Sequence, residues 1–149
     1  MRTTESVVVP AEPAIVFPFV DDLAQYPRWL PLVHAAEPDP ASDGEPAWTV
    51  ELRAQVGPFA RSKQLRMVRS EVIVGELAVF ERAELDGREH ARWALRAELA
   101  AIEGSTRVTM HLAYDGRLWT AGILERVLDE EVRRGRAGLV DLVSERSTR

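Results

Sequence analysis

Apolar and polar residues alternate through much of the middle of the chain, which is the pattern of a β-strand with one buried face. Every second residue from Trp48 to Val56 is apolar. The stretch from Phe59 to Ser70 is strongly charged, and its inward positions are Leu65 and Met67. A last alternating stretch places four residues on one face: Val108, Met110, Leu112 and Tyr114. We therefore predict a largely antiparallel sheet with an apolar inner face.

Two further segments, Glu76 to Glu84 and His90 to Ile102, are rich in residues that favour helices. In the second segment, however, apolar residues alternate with others. A strand keeps Trp93 and Leu95 on one face, whereas a helix would separate them. We interpret both segments as strands, joined by a hairpin at Asp86-Gly87.

Short elements precede the sheet. The β-branched stretch from Thr4 to Val9 predicts a first strand, and Pro13 suits the first turn of a helix. Pro18 interrupts the helical spacing that follows, so this helix is short or kinked. A second short helix is predicted after Pro27, ending near Leu32, and the turn formers from Pro38 to Pro46 predict a loop.

From Arg117 to about Ser144 the apolar residues recur at helical spacing, which predicts one long amphipathic helix. Glycines are unfavourable inside helices. Gly122, Gly135 and Gly138 therefore indicate close packing or a small bulge, and the sequence leaves both open.

The predicted order is a strand, two short helices, a meander of about six strands and one long helix. An antiparallel sheet with one apolar face must be covered, and the C-terminal helix is the element long enough to cover it. Such an arrangement leaves space near its open end, which is a usual place for a small molecule. We predict an α+β fold of about seven strands, forming one domain over residues 1–149.

Composition narrows the function classes. The chain has no cysteine, which excludes disulfides, thiolate nucleophiles and sulfur metal ligands. No signal peptide or apolar stretch of membrane-spanning length, ~20 residues, is present, so we expect a cytoplasmic protein without membrane insertion. The net charge of −5 argues against nucleic-acid binding. Nucleophile–base, phosphate-loop and metalloprotease motifs are absent, and we predict neither a cofactor nor a metal.

The stretch from Val7 to Phe17, followed by Asp21 to Pro31, resembles the N-terminal signature of the START-related, Bet v 1-like (SRPBCC) superfamily. The nearest branch is the bacterial polyketide cyclase/dehydrase and lipid transport group. Gly57 to Arg61 also matches, and the resemblance covers nearly the whole chain. It implies a helix-grip fold with an internal cavity, in which Trp29 marks where the short helices meet the sheet. Members include aromatases, cyclases and lipid or quinone carriers, so the fold alone does not name the function.

Given that cavity, we predict a set of ligand-binding residues, although each of them on its own is more typical of a packed core. Trp48 and Trp93 offer flat surfaces, methionines offer adaptable walls, and Tyr114 offers a hydroxyl that can orient a ligand carbonyl. The predicted set is Trp29, His34, Trp48, Leu52, Met67, Phe80, Trp93, Leu95, Met110, Leu112, Tyr114, Leu124 and Leu128.

Acid–base candidates are few. His34 follows the second predicted helix, near the expected mouth of the cavity, and the alternative is an exposed loop histidine. His90 and His111 should point outward, Glu131 lies on the helix stripe, and Arg69 lies where it can reach inward. No catalytic residue is assigned.

The favoured hypothesis is binding or transport of a hydrophobic small molecule, such as a lipid, a quinone or a polyketide-like compound. The alternative is a polyketide cyclase or dehydratase acting on a bound aromatic or polyketide precursor. A protein-interaction module is a third possibility, which an exposed apolar patch outside the cavity would favour. Neither the oligomeric state nor the identity of the ligand follows from the sequence.

Overall fold

A computed structural model describes residues 2–40, 44–56, 58–115, 130 and 134–145, without the side chains of residues 55 and 56. Leu124, Leu128 and Glu131 lie outside the described residues, as does most of the first part of the predicted C-terminal helix.

The described residues form a seven-stranded antiparallel sheet in the order β1-β7-β6-β5-β4-β3-β2. Strands β2 to β7 form a meander, and β1 closes the order by pairing with β7. The strands predicted from alternation are confirmed. The seven strands span Arg2–Val9 for β1, Val33–Pro38 for β2, Ala47–Val56 for β3, Phe59–Ile73 for β4, Leu77–Arg82 for β5, Arg92–Ile102 for β6 and Ser105–Asp115 for β7.

The helical segments before the sheet are short. Helix α1 spans Pro13–Val16 and continues into a 3₁₀ helix at Phe17–Phe19, so the interruption at Pro18 gives a short helix. A second 3₁₀ helix spans Leu23–Arg28. The prediction that it follows Pro27 and ends near Leu32 is wrong. It begins earlier because the Asp22 carboxylate caps it by accepting the backbone N–H of Ala24 at 2.9 Å.

Strand β2 was not predicted. It pairs with β3, and the register shifts between Val33 and Ala35, so that His34 lies at a bulge. The bulge breaks the alternation, and the strand runs into Pro38, which the sequence assigned to a loop. His34 therefore belongs to a strand rather than to a loop that follows a helix.

The turns between the last strands differ from each other. Glu103 and Gly104 join β6 to β7 with φ angles of 43° and 85°, as a tight two-residue hairpin requires. The predicted hairpin does join β5 to β6, but Asp86 and Gly87 lie within a longer connecting loop, residues 83–91, instead of forming a two-residue turn. His90 lies in this loop and not in β6, and its ring nitrogen Nε2 lies 2.8 Å from the Asp86 carboxylate.

The C-terminal helix, α2, is described over residues 134–145, where the sequence predicts a helix to about Ser144. A Cβ added at Gly138 would lie 2.6 Å from the Trp29 carbonyl oxygen, and one at Gly135 would lie 2.6 Å from Leu30 Cδ1. Close packing therefore explains these two glycines. Arg136 also donates to the Glu5 carboxylate at 3.1 Å, which ties α2 to the edge strand β1.

Within the described residues, no helix combines the length and apolar character needed to cross a lipid bilayer.

Candidate ligand-binding site

A small apolar cavity lies between the inner face of the sheet and the segment that contains the second 3₁₀ helix. Its volume is about 30 Å³, enough for one or two water molecules and well below the ~300 Å³ of a small ligand pocket. Its described lining is Leu23, Leu30, Leu32, Val33, Val50, Leu52, Leu65, Met67, Trp93, Leu95, Met110 and Leu112.

Half of this lining belongs to the ligand-binding set predicted from the sequence. The structure brings together six of those residues: Leu52, Met67, Trp93, Leu95, Met110 and Leu112. Val50 and Leu65 were predicted to face inward but were not assigned to the site. The other four, Leu23, Leu30, Leu32 and Val33, come from the second 3₁₀ helix and the segment leading into β2. No periodic signal marks most of that segment, because it is irregular.

Four predicted aromatic residues are buried but do not line the cavity. Phe80 packs against Trp48 and against Tyr26, with ring centroids 5.6 and 5.8 Å apart. Trp29 packs on Tyr26 at 4.7 Å. Tyr114 packs on Trp93 at 4.4 Å, which places it beside a lining residue. These rings support the cavity wall.

His34 is exposed at the β2 bulge and does not contribute to the described lining. The sequence predicted that His34 lies near the mouth of the cavity, but it does not line the described cavity. His111 points to the outer face of β7, where its ring lies 3.5 Å from the Glu98 carboxylate.

Two hydrogen bonds fix the helical segment that closes the cavity. The Tyr26 hydroxyl donates to the Val20 carbonyl oxygen at 2.7 Å, and the Trp29 indole N–H donates to the Phe19 carbonyl oxygen at 2.9 Å. Burial, followed by the nearby Asp21 carboxylate, raises the pKa of Tyr26 well above its usual value. Tyr26 is therefore a neutral donor over the whole physiological pH range.

Charged residues border the apolar wall. Arg82 pairs in register with Met67 and so shares its face of the sheet. Its side chain is only 8% exposed, and its Nε donates to the Glu84 carboxylate at 2.9 Å. Lys63 pairs with Leu52 in the same way, and burial, then the Arg82 charge, lowers the pKa of Lys63. The edge of the cavity is therefore polar, although its described wall is apolar.

An open surface groove of about 820 Å³ lies outside this wall, between the short helical segments and the ends of β2 and β3. Arg69 contributes to the lining of this groove and not to the described lining of the apolar cavity, and it donates to the Asp21 backbone carbonyl at 2.9 Å. Burial is the main cause of the raised pKa of the Asp21 carboxyl.

In the described part of the chain, no group of three histidine, aspartate or glutamate residues is arranged to hold a metal ion.

A family model described as polyketide cyclase / dehydrase and lipid transport matches residues 1–144. The chain belongs to this family. No curated protein matches the sequence. Among solved structures, TTHA0849 from Thermus thermophilus is similar with a TM-score of 0.78 and 18% identity, and the match covers 99% of each chain.

Two further structures similar to this member of the polyketide cyclase / dehydrase and lipid transport family carry functional or superfamily names. The Zhui aromatase/cyclase from Streptomyces sp. R1128 has a TM-score of 0.74 and 11% identity, over 99% of this chain and 95% of that one. A START superfamily protein from Mycobacterium smegmatis has a TM-score of 0.72 and 15% identity, over 97% of both chains. At these identities the likeness establishes the Bet v 1/START-type fold, which confirms the predicted fold class.

Proposed function

We propose that this protein binds a hydrophobic small molecule between the inner face of its sheet and the C-terminal helix. The observation that carries the proposal is a buried cavity whose described lining consists of leucine, valine, methionine and tryptophan. The family description, which includes lipid transport, supports the same function. Transfer of apolar ligand surface from water to such a wall supplies the binding free energy.

The small volume of the cavity defines how binding must occur. A ligand of ordinary size enters only if the wall of the cavity moves apart. Met67 and Met110 are unbranched and change rotamer easily, which suits a wall that must adapt. Binding is therefore coupled to expansion of the cavity.

The alternative of a cyclase or dehydratase draws on the family description and on the aromatase/cyclase among the similar structures. Such an enzyme needs an acid or base within hydrogen-bond reach of its substrate. The described lining contains no such group, Tyr114 stands beside Trp93, and His34 is exposed. The geometry thus favours binding without catalysis.

Native mass spectrometry tests the proposal directly. The protein is incubated separately with a medium-chain fatty acid, a short-chain quinone and 2-acetylnaphthalene, and we expect a one-to-one complex with at least one of them. Replacing Leu95 in the wall by tryptophan should fill the cavity and remove the complex. Leu85→Trp, on a loop position that is 69% exposed, is the matched control and should keep it.

Circular dichroism establishes that both variants are folded. Absence of a complex with every probe, or equal uptake by the Leu95 and Leu85 variants, would contradict binding in this cavity.

A further inference from the structure

The indole N–H of Trp93 is a buried hydrogen-bond donor without an acceptor. Trp93 is 5% exposed, and its Nε1 is the one buried side-chain nitrogen or oxygen among the described residues that lacks a hydrogen-bond partner. Buried polar groups are nearly always paired, because leaving one unpaired is costly. This exception therefore calls for an explanation.

Other buried aromatic residues show that the fold can satisfy such groups. The Trp29 N–H and the Tyr26 hydroxyl both donate to backbone carbonyl oxygens of the nearby helical segment. Trp93 instead lies near the start of β6, where it pairs with Tyr114 of β7. No backbone carbonyl oxygen accepts a hydrogen bond from its indole.

The same residue lines the cavity with its carbon atoms, because the described cavity surface is wholly apolar. Its donor therefore reaches a ligand only when the cavity expands, as the proposed binding requires. Trp93 is also the one side chain of the described lining that carries an N–H or O–H group. A water molecule in the cavity would need about three polar partners. The leucine, valine and methionine side chains around Trp93 offer it no strong ones, so water is a poor occupant.

We propose that the ligand carries an uncharged oxygen, in particular a carbonyl, and that the Trp93 indole N–H donates a hydrogen bond to it. The inference rests on the proposed binding function and adds a selectivity to it. An uncharged oxygen fits because a single indole N–H does not compensate for the desolvation of a carboxylate. Trp93 is then a specificity-determining residue, and the apolar wall supplies most of the affinity.

The test compares two ligands of nearly the same shape, 2-acetylnaphthalene and 2-ethylnaphthalene, of which the first alone has a carbonyl. Binding of both is measured by titration calorimetry. We expect the ketone to bind the wild-type protein about threefold to tenfold more tightly, which is the usual net effect of one uncharged hydrogen bond. In Trp93→Phe the two ligands should bind equally.

Nuclear magnetic resonance of the indole N–H groups gives an independent measurement. The chain has four tryptophans, and the Trp93 signal is the one missing from Trp93→Phe. The ketone should shift this proton downfield, and the hydrocarbon should not. Trp48→Phe is the control variant, because Trp48 packs on Phe80 outside the cavity lining, and it should keep the preference for the ketone.

The outcomes separate the two proposals. If neither ligand binds the wild-type protein, the binding function itself fails, and the inference with it. If both bind equally, or if Trp93→Phe keeps the preference, binding stands and the role of Trp93 is overturned. Tighter binding of 2-naphthoate than of the ketone would overturn the preference for an uncharged oxygen. Should Trp93→Phe not fold, the ketone must still bind the wild-type protein more tightly than the hydrocarbon and shift one of its indole protons downfield, and failure of either result overturns the role of Trp93.

Discussion

At the scale of single residues, the buried hydroxyl of Tyr26 makes a hydrogen bond that holds the helical segment in place. Tyr26 is 0% exposed, and its hydroxyl satisfies the Val20 carbonyl in the segment that closes the cavity. Its aromatic ring lies between Trp29 and Phe80. The side chain therefore joins the helical segment to the inner face of the sheet.

We predict that Tyr26→Phe lowers the free energy of unfolding by about 1–3 kcal/mol near neutral pH, because the Val20 carbonyl loses its donor. The difference should shrink above about pH 10. The unfolded chain ionises Tyr26 near its ordinary pKa of about 10, whereas the folded protein, with a raised pKa, does not. Ionisation of the Tyr26 hydroxyl in the unfolded chain therefore destabilises the wild type as the pH rises, whereas the variant lacks this hydroxyl and is not affected. Urea unfolding at roughly pH 8 and roughly pH 11 measures both values, and a constant difference would contradict the assignment.

At the scale of elements, the two glycines of α2 permit its approach to the segment around Trp29. The Trp29 carbonyl occupies the position that a Gly138 side chain would need. The glycines lower the helix propensity of α2, but they allow it to pack closely against Trp29 and Leu30.

We predict that Gly138→Ala destabilises the protein by about 1–3 kcal/mol, since the new methyl group meets backbone that has little freedom to move. Helix propensity alone would give a gain of about 1 kcal/mol. Ala137→Gly, at an exposed neighbouring position, should show the propensity effect by itself as a loss of about 1 kcal/mol. Thermal and urea unfolding report the sign, and a more stable Gly138→Ala would refute the close contact.

Elements with strict alternation were predictable from the sequence, and irregular ones were not. In β6 the alternation overrides the helix-favouring composition, because each side chain must satisfy one face of the sheet. Strand β2 escaped prediction because its bulge at His34 shifts the pattern and its pairing with β3 is a tertiary effect. Alternation also identifies a face but not a position along it, which is why Phe80 and Trp48 were assigned to the ligand and lie in an aromatic cluster instead.

At the scale of the whole molecule, the residues of the cavity wall affect both the stability of the fold and the affinity for a ligand. Leu95 and Leu99 are both buried on the inner face of β6, but only Leu95 belongs to the described lining. They therefore form a matched pair in which residue type, strand and face are the same.

We predict that Leu95→Ala and Leu99→Ala each lower the free energy of unfolding by roughly 2–5 kcal/mol, through lost contacts and the space left behind. Only Leu95→Ala enlarges the described cavity, so it alone should bind 2-ethylnaphthalene more tightly than the wild type. Urea unfolding and titration calorimetry give the two quantities. Equal gains in affinity for the two variants would show that the ligand lies elsewhere.

The pairing of β1 with β7 has a consequence for synthesis of the chain. Residues Arg2 to Val9 are synthesised before their partners, Thr106 to Ala113, which follow about 100 residues later and so, at about 5–20 residues per second, roughly 5–20 s later. During that interval the valine-rich strand has no native neighbour and presents an open edge. Newborn chains therefore pass through an aggregation-prone stage that ends when the last strand emerges.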